Sequence, residues 1–177
     1  AYSAINDAIL QPDGKIIGGG DVGNSSYYNY SFMLLRINSD GTLDNTFGSG
    51  GVDSTFIHHY DFLTRLALQS DGKIIAGGIT SADSNNTSLG ALFRFNANGT
   101  PDNSFGSGGT VMLPEVDSSN YLASIEFLPG GKIIAAGFSN NPNNGMWPLW
   151  IYQFNSNGSA DVTFGTDGVT YEEFLPY

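Results

Sequence analysis

The chain contains no cysteine. Thiol nucleophiles, thiolate-held zinc and disulfide bridges are therefore excluded. A chain without thiols is indifferent to redox poise, so this absence does not fix a compartment. Basic residues are also scarce: 6 Lys and Arg stand against 17 Asp and Glu, a formal net charge of -11. Such a surface repels phosphate backbones and anionic lipid, so nucleic acid is not an expected partner. Charged residues are 13% of the chain, about half the usual share. No apolar run approaches the roughly 20 residues of a membrane-spanning helix, so no membrane insertion is expected. The chain opens on Ala1-Tyr2-Ser3-Ala4, without an initiator Met or a signal sequence, as a processed chain or a piece of a longer one would.

Glycine is abundant, at 24 residues, and aromatics reach 13% within a hydrophobic share of 40%. That apolar content argues for a folded chain, and 177 residues make one domain of ordinary size. The composition, with few charges, much Asn, Ser and Gly and no Cys, is one met in bacterial surface proteins.

Internal repetition organises the whole sequence. Leu10-Gln11-Pro12-Asp13-Gly14-Lys15-Ile16-Ile17 returns as Leu68 to Ile75 and again as Phe127 to Ile134. A second anchor, Arg36-Ile37-Asn38-Ser39-Asp40-Gly41-Thr42-Leu43-Asp44-Asn45-Thr46-Phe47-Gly48, has copies beginning at Arg94 and Gln153. Both anchors recur at spacings of 58 and then 59 residues. The chain thus reads as a single repeat domain over 1–177, with units at approximately 1–59, 60–118 and 119–177.

Each unit reads as four short strands. Pro12-Asp13-Gly14 closes a hairpin: Pro presets φ, Asp tolerates the next position and Gly supplies positive φ, with a bulge at Gly14. The Ile-Ile-Gly/Ala-Gly strand that follows is expected near a propeller axis, where small residues let neighbours converge. No window shows apolar residues at helical spacing over three turns, so helix should be almost absent. The expected fold is all-β and propeller-like, with three four-stranded antiparallel blades of about 59 residues. Closed propellers usually have four to eight blades. A three-fold β-trefoil or β-prism is the alternative.

The pattern Leu-Gln-x-Asp-Gly-Lys-Ile-Ile, followed by Arg-x-Asn-x-Asp-Gly-x-Leu-Asp-x-Thr-Phe-Gly, resembles the delta-60 repeat, also called the DUF5122 β-propeller repeat. The third copy departs from it, with Gly130 in place of Asp and Gln153 in place of Arg. The resemblance implies a β-propeller in large exported, cell-surface bacterial proteins, many similar to substrates of the type IX secretion route of Bacteroidetes. It implies no catalytic residues.

Asn38, Asp40 and Asp44 form an oxygen-rich turn, but its copies hold one carboxylate each, at Asp102 and Asp161, which suits turn capping better than calcium. His58 and His59 are adjacent, so on a strand they face opposite ways and cannot chelate one ion together. The spacing of Glu115, Glu126, Glu172 and Glu173 does not favour a glycosidase pair. No catalytic residue, cofactor or metal is therefore expected. The loops between the second and third strands vary while the scaffold repeats, and variable loops on a rigid repeat are where binding usually sits. Tyr27, Tyr28 and Tyr30 in the first, with Asn143, Asn144 and Trp147 in the third, offer rings and amides suited to a neutral glycan. Trp150, at the position of Met33 and Ala91, reads as core.

The expected function is a non-enzymatic β-propeller segment of an exported bacterial cell-surface protein, acting in adhesion, ligand display or spacing, with weak neutral-glycan binding. The expected partners are neighbouring repeats or domains of a larger protein, or further copies of the chain. The rivals are a carbohydrate-active enzyme using a carboxylate pair and a purely structural spacer.

Overall fold

The structure, a computed structural model, describes residues 2–24, 29–55, 60–81, 89–114, 119–140 and 145–173. Among them there are twelve strands and no helix. Blade 1 comprises β1 (Tyr2–Leu10), β2 (Ile16–Asn24), β3 (Asn29–Ile37) and β4 (Val52–Thr55). Blade 2 comprises β5 (Tyr60–Leu68), β6 (Ile74–Ser81), β7 (Leu89–Phe95) and β8 (Thr110–Met112). Blade 3 comprises β9 (Ser119–Phe127), β10 (Ile133–Asn140), β11 (Leu149–Phe154) and β12 (Val169–Glu172). Each blade is an antiparallel meander, and one parallel pairing, Tyr30 with Tyr60, joins blade 1 to blade 2.

The Pro-Asp-Gly turn forms as its residues dictate. Gly14 sits at φ 84°. The Gln11 N–H donates to the Lys15 carbonyl at 2.8 Å, and Asp13 Oδ1 accepts from the Lys15 N–H at 3.1 Å. The third copy, with Gly130, keeps the backbone bonds Leu128 N–H to Lys132 O and Gly131 N–H to Leu128 O.

The core lies between blades rather than within them. Each blade has a leading face toward the blade before it and a trailing face toward the blade after it. Ile17, Phe32, Leu34 and Phe47 of blade 1 meet Leu63, Leu66, Ile74 and Phe93 of blade 2. Ile75, Leu92 and Phe105 of blade 2 meet Leu122, Ile125, Ile133 and Tyr152 of blade 3 in the same way. Trp150 is buried in that second seam, as a core residue should be.

One expectation needs correcting. The first strand of each blade, not the Ile-Ile-Gly/Ala-Gly strand, is innermost: β5 lies against β1 on one side and β9 on the other, while β4 and β8 make no comparable contact with a following blade. The repeated glycines serve a different purpose. Gly20, Gly78 and Gly137 face a bulge in the first strand, where the register slips between Ile5 and Asp7 and at the equivalent positions of blades 2 and 3. A Cβ at Gly78 would stand 1.9 Å from the Phe62 carbonyl oxygen. Gly19 and Gly77 point to the trailing face, where Leu63 and Leu66, or Leu122 and Ile125, of the next blade come down on them.

Polar clamps complete each seam. Asn6 donates to the Leu63 carbonyl, and Thr64 to that of Leu122. The Arg36 guanidinium lies 4.7 Å over the Phe47 ring and donates to the Ala97 carbonyl of blade 2. Arg94 does the same with Phe105 and the Ser156 carbonyl of blade 3. Gly48 and Gly106 donate across the seams to the carbonyls of Asn98 and Asn157.

Candidate functional site

Strand direction gathers the variable loops. β2, β6 and β10 run toward one end of the blades and β3, β7 and β11 run back, so the strand ends that flank the three variable loops share that rim. β4 and β8 end, and β5 and β9 begin, on the same rim, and the Pro-Asp-Gly and Asn-x-Asx-Gly turns lie on the other. Of the six residues selected from sequence, Tyr27, Tyr28, Asn143 and Asn144 lie outside the described residues.

Tyr30 is half-buried at the seam of blades 1 and 2. It meets Tyr2 edge-on at 5.7 Å and Phe62 at 4.9 Å. Trp147 is 56% exposed. It leans on Phe138 at 5.7 Å and Tyr121 at 6.2 Å, and those two rings stack on each other at 5.3 Å. Tyr30 and Trp147 thus belong to two separate aromatic clusters on one rim, in blades 1 and 3. Sequence reasoning missed Tyr2, Phe62, Tyr121 and Phe138. The signal was there: Phe62 and Tyr121 stand at the position of Ala4, and Phe138 at that of Asp21, so their aromatic character breaks the repeat.

The same rim buries carboxylates. Asp21 accepts from the Leu63 N–H at 2.7 Å and from Asn6 at 2.6 Å, and Asp7 accepts from the Leu66 N–H at 2.7 Å. Both thereby satisfy N–H groups on the inner edge of β5, whose pairing with β3 is confined to Tyr60. Burial pushes the Asp21 carboxyl above its ordinary range, and the nearby Asp61 charge adds to this. Asp61 in turn accepts from Thr80 at 2.6 Å.

On the opposite rim each blade repeats one ionic arrangement. Asp44 accepts from Lys15 and Arg36, each at 2.7 Å. Asp102 accepts from Lys73 at 2.5 Å and Arg94 at 2.8 Å. Asp161 pairs with Lys132, and Gln153 takes the place of the arginine. The Lys15 bond to Asp44, and those of Thr46 and Arg36, hold that carboxyl well below the usual range. The neighbouring Asp40 oxygen is engaged within its own turn by the Thr42 N–H and hydroxyl, and Asn98 and Asn157 do the same. These turn oxygens accept hydrogen bonds from their own turns. Millimolar calcium against chelator is expected to move the melting temperature by less than about 1 °C, because a ligand stabilises only what it binds; a rise of many degrees in differential scanning fluorimetry would overturn this reading.

His58, His59 and Glu115 lie outside the described residues. Among the described residues no three of His, Asp and Glu are grouped to hold a metal. Glu126 in β9 and Glu172 in β12 are exposed and separated by β10 and β11. Three strand spacings and a four-residue offset along the strands put their backbones more than about 14 Å apart, beyond the about 5–9.5 Å at which glycosidase carboxylates cooperate.

The family description "Domain of unknown function (DUF5122) beta-propeller" matches residues 11–47, 69–105 and 128–164. No curated protein matches the chain. Among solved structures, acylaminoacyl peptidase from Pyrococcus horikoshii, in its orthorhombic crystal form, aligns over 97% of this chain with a TM-score of 0.50 and 12% identity. This chain spans 25% of the length of that one, and at such identity the likeness concerns the fold alone. The three matches, one per blade and each running from the first turn to the buried or half-buried Phe of the second anchor, show that the chain belongs to the DUF5122 β-propeller repeat family.

Proposed function

We propose that this chain is a non-enzymatic propeller segment whose loop rim displays aromatic rings for weak binding of a neutral glycan. Trp147 carries the reading. It keeps more than half its surface open, and Phe138 and Tyr121 pack against it, so the ring is held before a ligand arrives. A fixed, open indole face is what a sugar ring stacks on, and fixing it beforehand lowers the cost of binding. The net charge of -11 turns polyanions away and favours a neutral polymer. The small share of charged residues, and the exported proteins that the family resemblance implies, favour a setting at a bacterial cell surface, in adhesion or ligand display.

The test is retention on an array of neutral glycans. Wild type should be retained, and Trp147→Ala should lose retention while its melting temperature stays within about 2 °C, because the removed ring is mostly solvent-exposed. Absence of retention by wild type on every glycan, or equal retention by the variant, would leave a structural spacer as the better account.

A further inference from the structure

We propose that the seam between blades 2 and 3 takes up a carboxylate from outside the chain, held by the Arg65 guanidinium and the Ile125 N–H at the inner edge of β9. Every residue involved lies between two blades of this chain, and the site is independent of glycan binding.

Arg65 stands apart in its charge balance. Five of the six Lys and Arg residues bond buried carboxylates: Lys15 and Arg36 at Asp44, Lys73 and Arg94 at Asp102, and Lys132 at Asp161. Among the described residues no carboxylate meets Arg65. Its Nε donates to the Ala123 carbonyl at 2.7 Å, and one terminal nitrogen donates to the Thr64 carbonyl at 2.6 Å. Both acceptors are neutral, and the side chain is exposed. A guanidinium has five donors in a planar fork, so most of this fork is still available, in the geometry that matches a carboxylate.

The preceding seam shows what such a carboxylate would bind. Asp7, Arg65 and Ser124 follow the bulge in the first strand of their blades and are equivalent. Between blades 1 and 2, Asp7 accepts from the Leu66 N–H and Asp21 from the Leu63 N–H, each at 2.7 Å. The corresponding residues of blade 3 are Ile125 and Leu122. Facing them, blade 2 has Arg65 in place of Asp7 and Ile79 in place of Asp21. Blade 2 thus offers donors where blade 1 offers carboxylates: Thr64 donates to the Leu122 carbonyl and Arg65 to that of Ala123. The carbonyls of this edge are satisfied from within the chain, and its N–H groups receive no carboxylate from the described residues.

The reach is adequate. Arg65 is anchored at Ala123, two residues and roughly 7 Å from Ile125 along β9. The two oxygens of a carboxylate, with a hydrogen bond at each end, span that distance. One oxygen takes the Ile125 N–H as Asp7 takes that of Leu66, and the other takes the guanidinium. The chain's net charge of -11 opposes polyanions, so the ligand is a single carboxylate on an otherwise neutral molecule. A free small acid and a sugar acid share this chemistry.

Titration with sodium acetate, followed in amide nitrogen–proton correlation spectra, tests this. The Ile125 amide proton should move downfield and saturate with a Kd of about 1–10 mM, the range of an exposed charge-assisted contact. The Leu66 amide, already capped by Asp7, should stay in place. Arg65→Gln should weaken acetate binding at least about tenfold. Arg65→Asp should abolish the acetate response and move the Ile125 amide downfield before any acetate is added, because the introduced carboxylate then caps it as Asp7 caps Leu66. Glucuronate that binds at least about tenfold more tightly than acetate identifies a sugar acid as the source, and equal affinities identify a free small acid. An Ile125 amide indifferent to about 100 mM acetate, well above the expected range, overturns the proposal. So does an equal response to sodium chloride, or undiminished binding by Arg65→Gln.

Discussion

Gly78→Ala is expected to be among the most damaging single-methyl changes in this chain, lowering stability by more than about 3 kcal/mol. The added Cβ would lie 1.9 Å from the Phe62 carbonyl oxygen and 2.9 Å from the Leu63 Cα. Both are backbone atoms of the bulge in β5, so no side-chain rotation relieves the overlap. Either the bulge must unwind or β6 must move away from β5. Unwinding shifts the register of Tyr60 to Leu63 by one residue and turns Leu63 out of the seam between blades 1 and 2. Against a total of about 5–15 kcal/mol for a native domain, that is a large share. For a chain of this length it corresponds to roughly 6–12 °C in melting temperature. Ala136→Gly is the matched control, with an expected loss of about 0.5–1 kcal/mol from backbone entropy. Urea unfolding of both variants decides the matter. Equal losses would mean that the bulge yields easily and that the glycine is not required there.

The contrast between Gly78 and Ala136 also shows what the sequence could and could not convey. The 58- and 59-residue spacings and the Pro-Asp-Gly turns made the strand count and the all-β class legible, because turn chemistry is local. The role of the Ile-Ile-Gly/Ala-Gly strand was not legible. Small residues were rightly tied to close approach, but what approaches is a bulge on one face and a Leu or Ile pair of the next blade on the other. Bulges depend on pairing between strands and leave no local mark at Asn6, Thr64 or Ala123. Trp150 was readable as core from its place in the repeat. The Trp147 platform was readable only in part, since Phe138 and Tyr121 join it from two other strands. The ionic arrangement of Lys15, Arg36 and Asp44 escaped notice although all three positions belong to the repeated anchors: the motif was visible, and its convergence in space was not.

Those ionic arrangements make the fold acid-sensitive, and Asp102→Asn is the variant that should reveal it. Burial raises the Asp102 carboxyl, but the Lys73 and Ser104 hydrogen bonds and the Arg94 charge outweigh it and leave the group well below the usual range. Lys132, Thr163 and Gln153 lower Asp161 likewise, and Asp44 behaves in the same way. A carboxyl that is lower in the folded chain than the ordinary value of about 3.9 means that the unfolded chain binds protons first as pH falls. The stabilisation is therefore complete above about pH 5 and is lost progressively below about pH 4. Asp21, raised by burial, works in the opposite direction, one group against four, since the Thr42 hydrogen bonds lower Asp40 as well. The melting temperature of the wild type should thus be level near neutrality and fall steeply in acid. In Asp102→Asn the Lys73 and Arg94 cations lose their anion, and Arg94 is buried against Phe105 at the seam between blades 2 and 3. A drop of roughly 5 °C or more at pH 7 is expected, discounted from a fully buried pair because Lys73 is partly solvated. At pH 3 the drop should shrink, since there the wild type has already lost much of what the carboxylate contributes. Melting curves of the two proteins across this range separate charge from packing: an equal drop at pH 7 and pH 3 would show that Asp102 acts only by filling space.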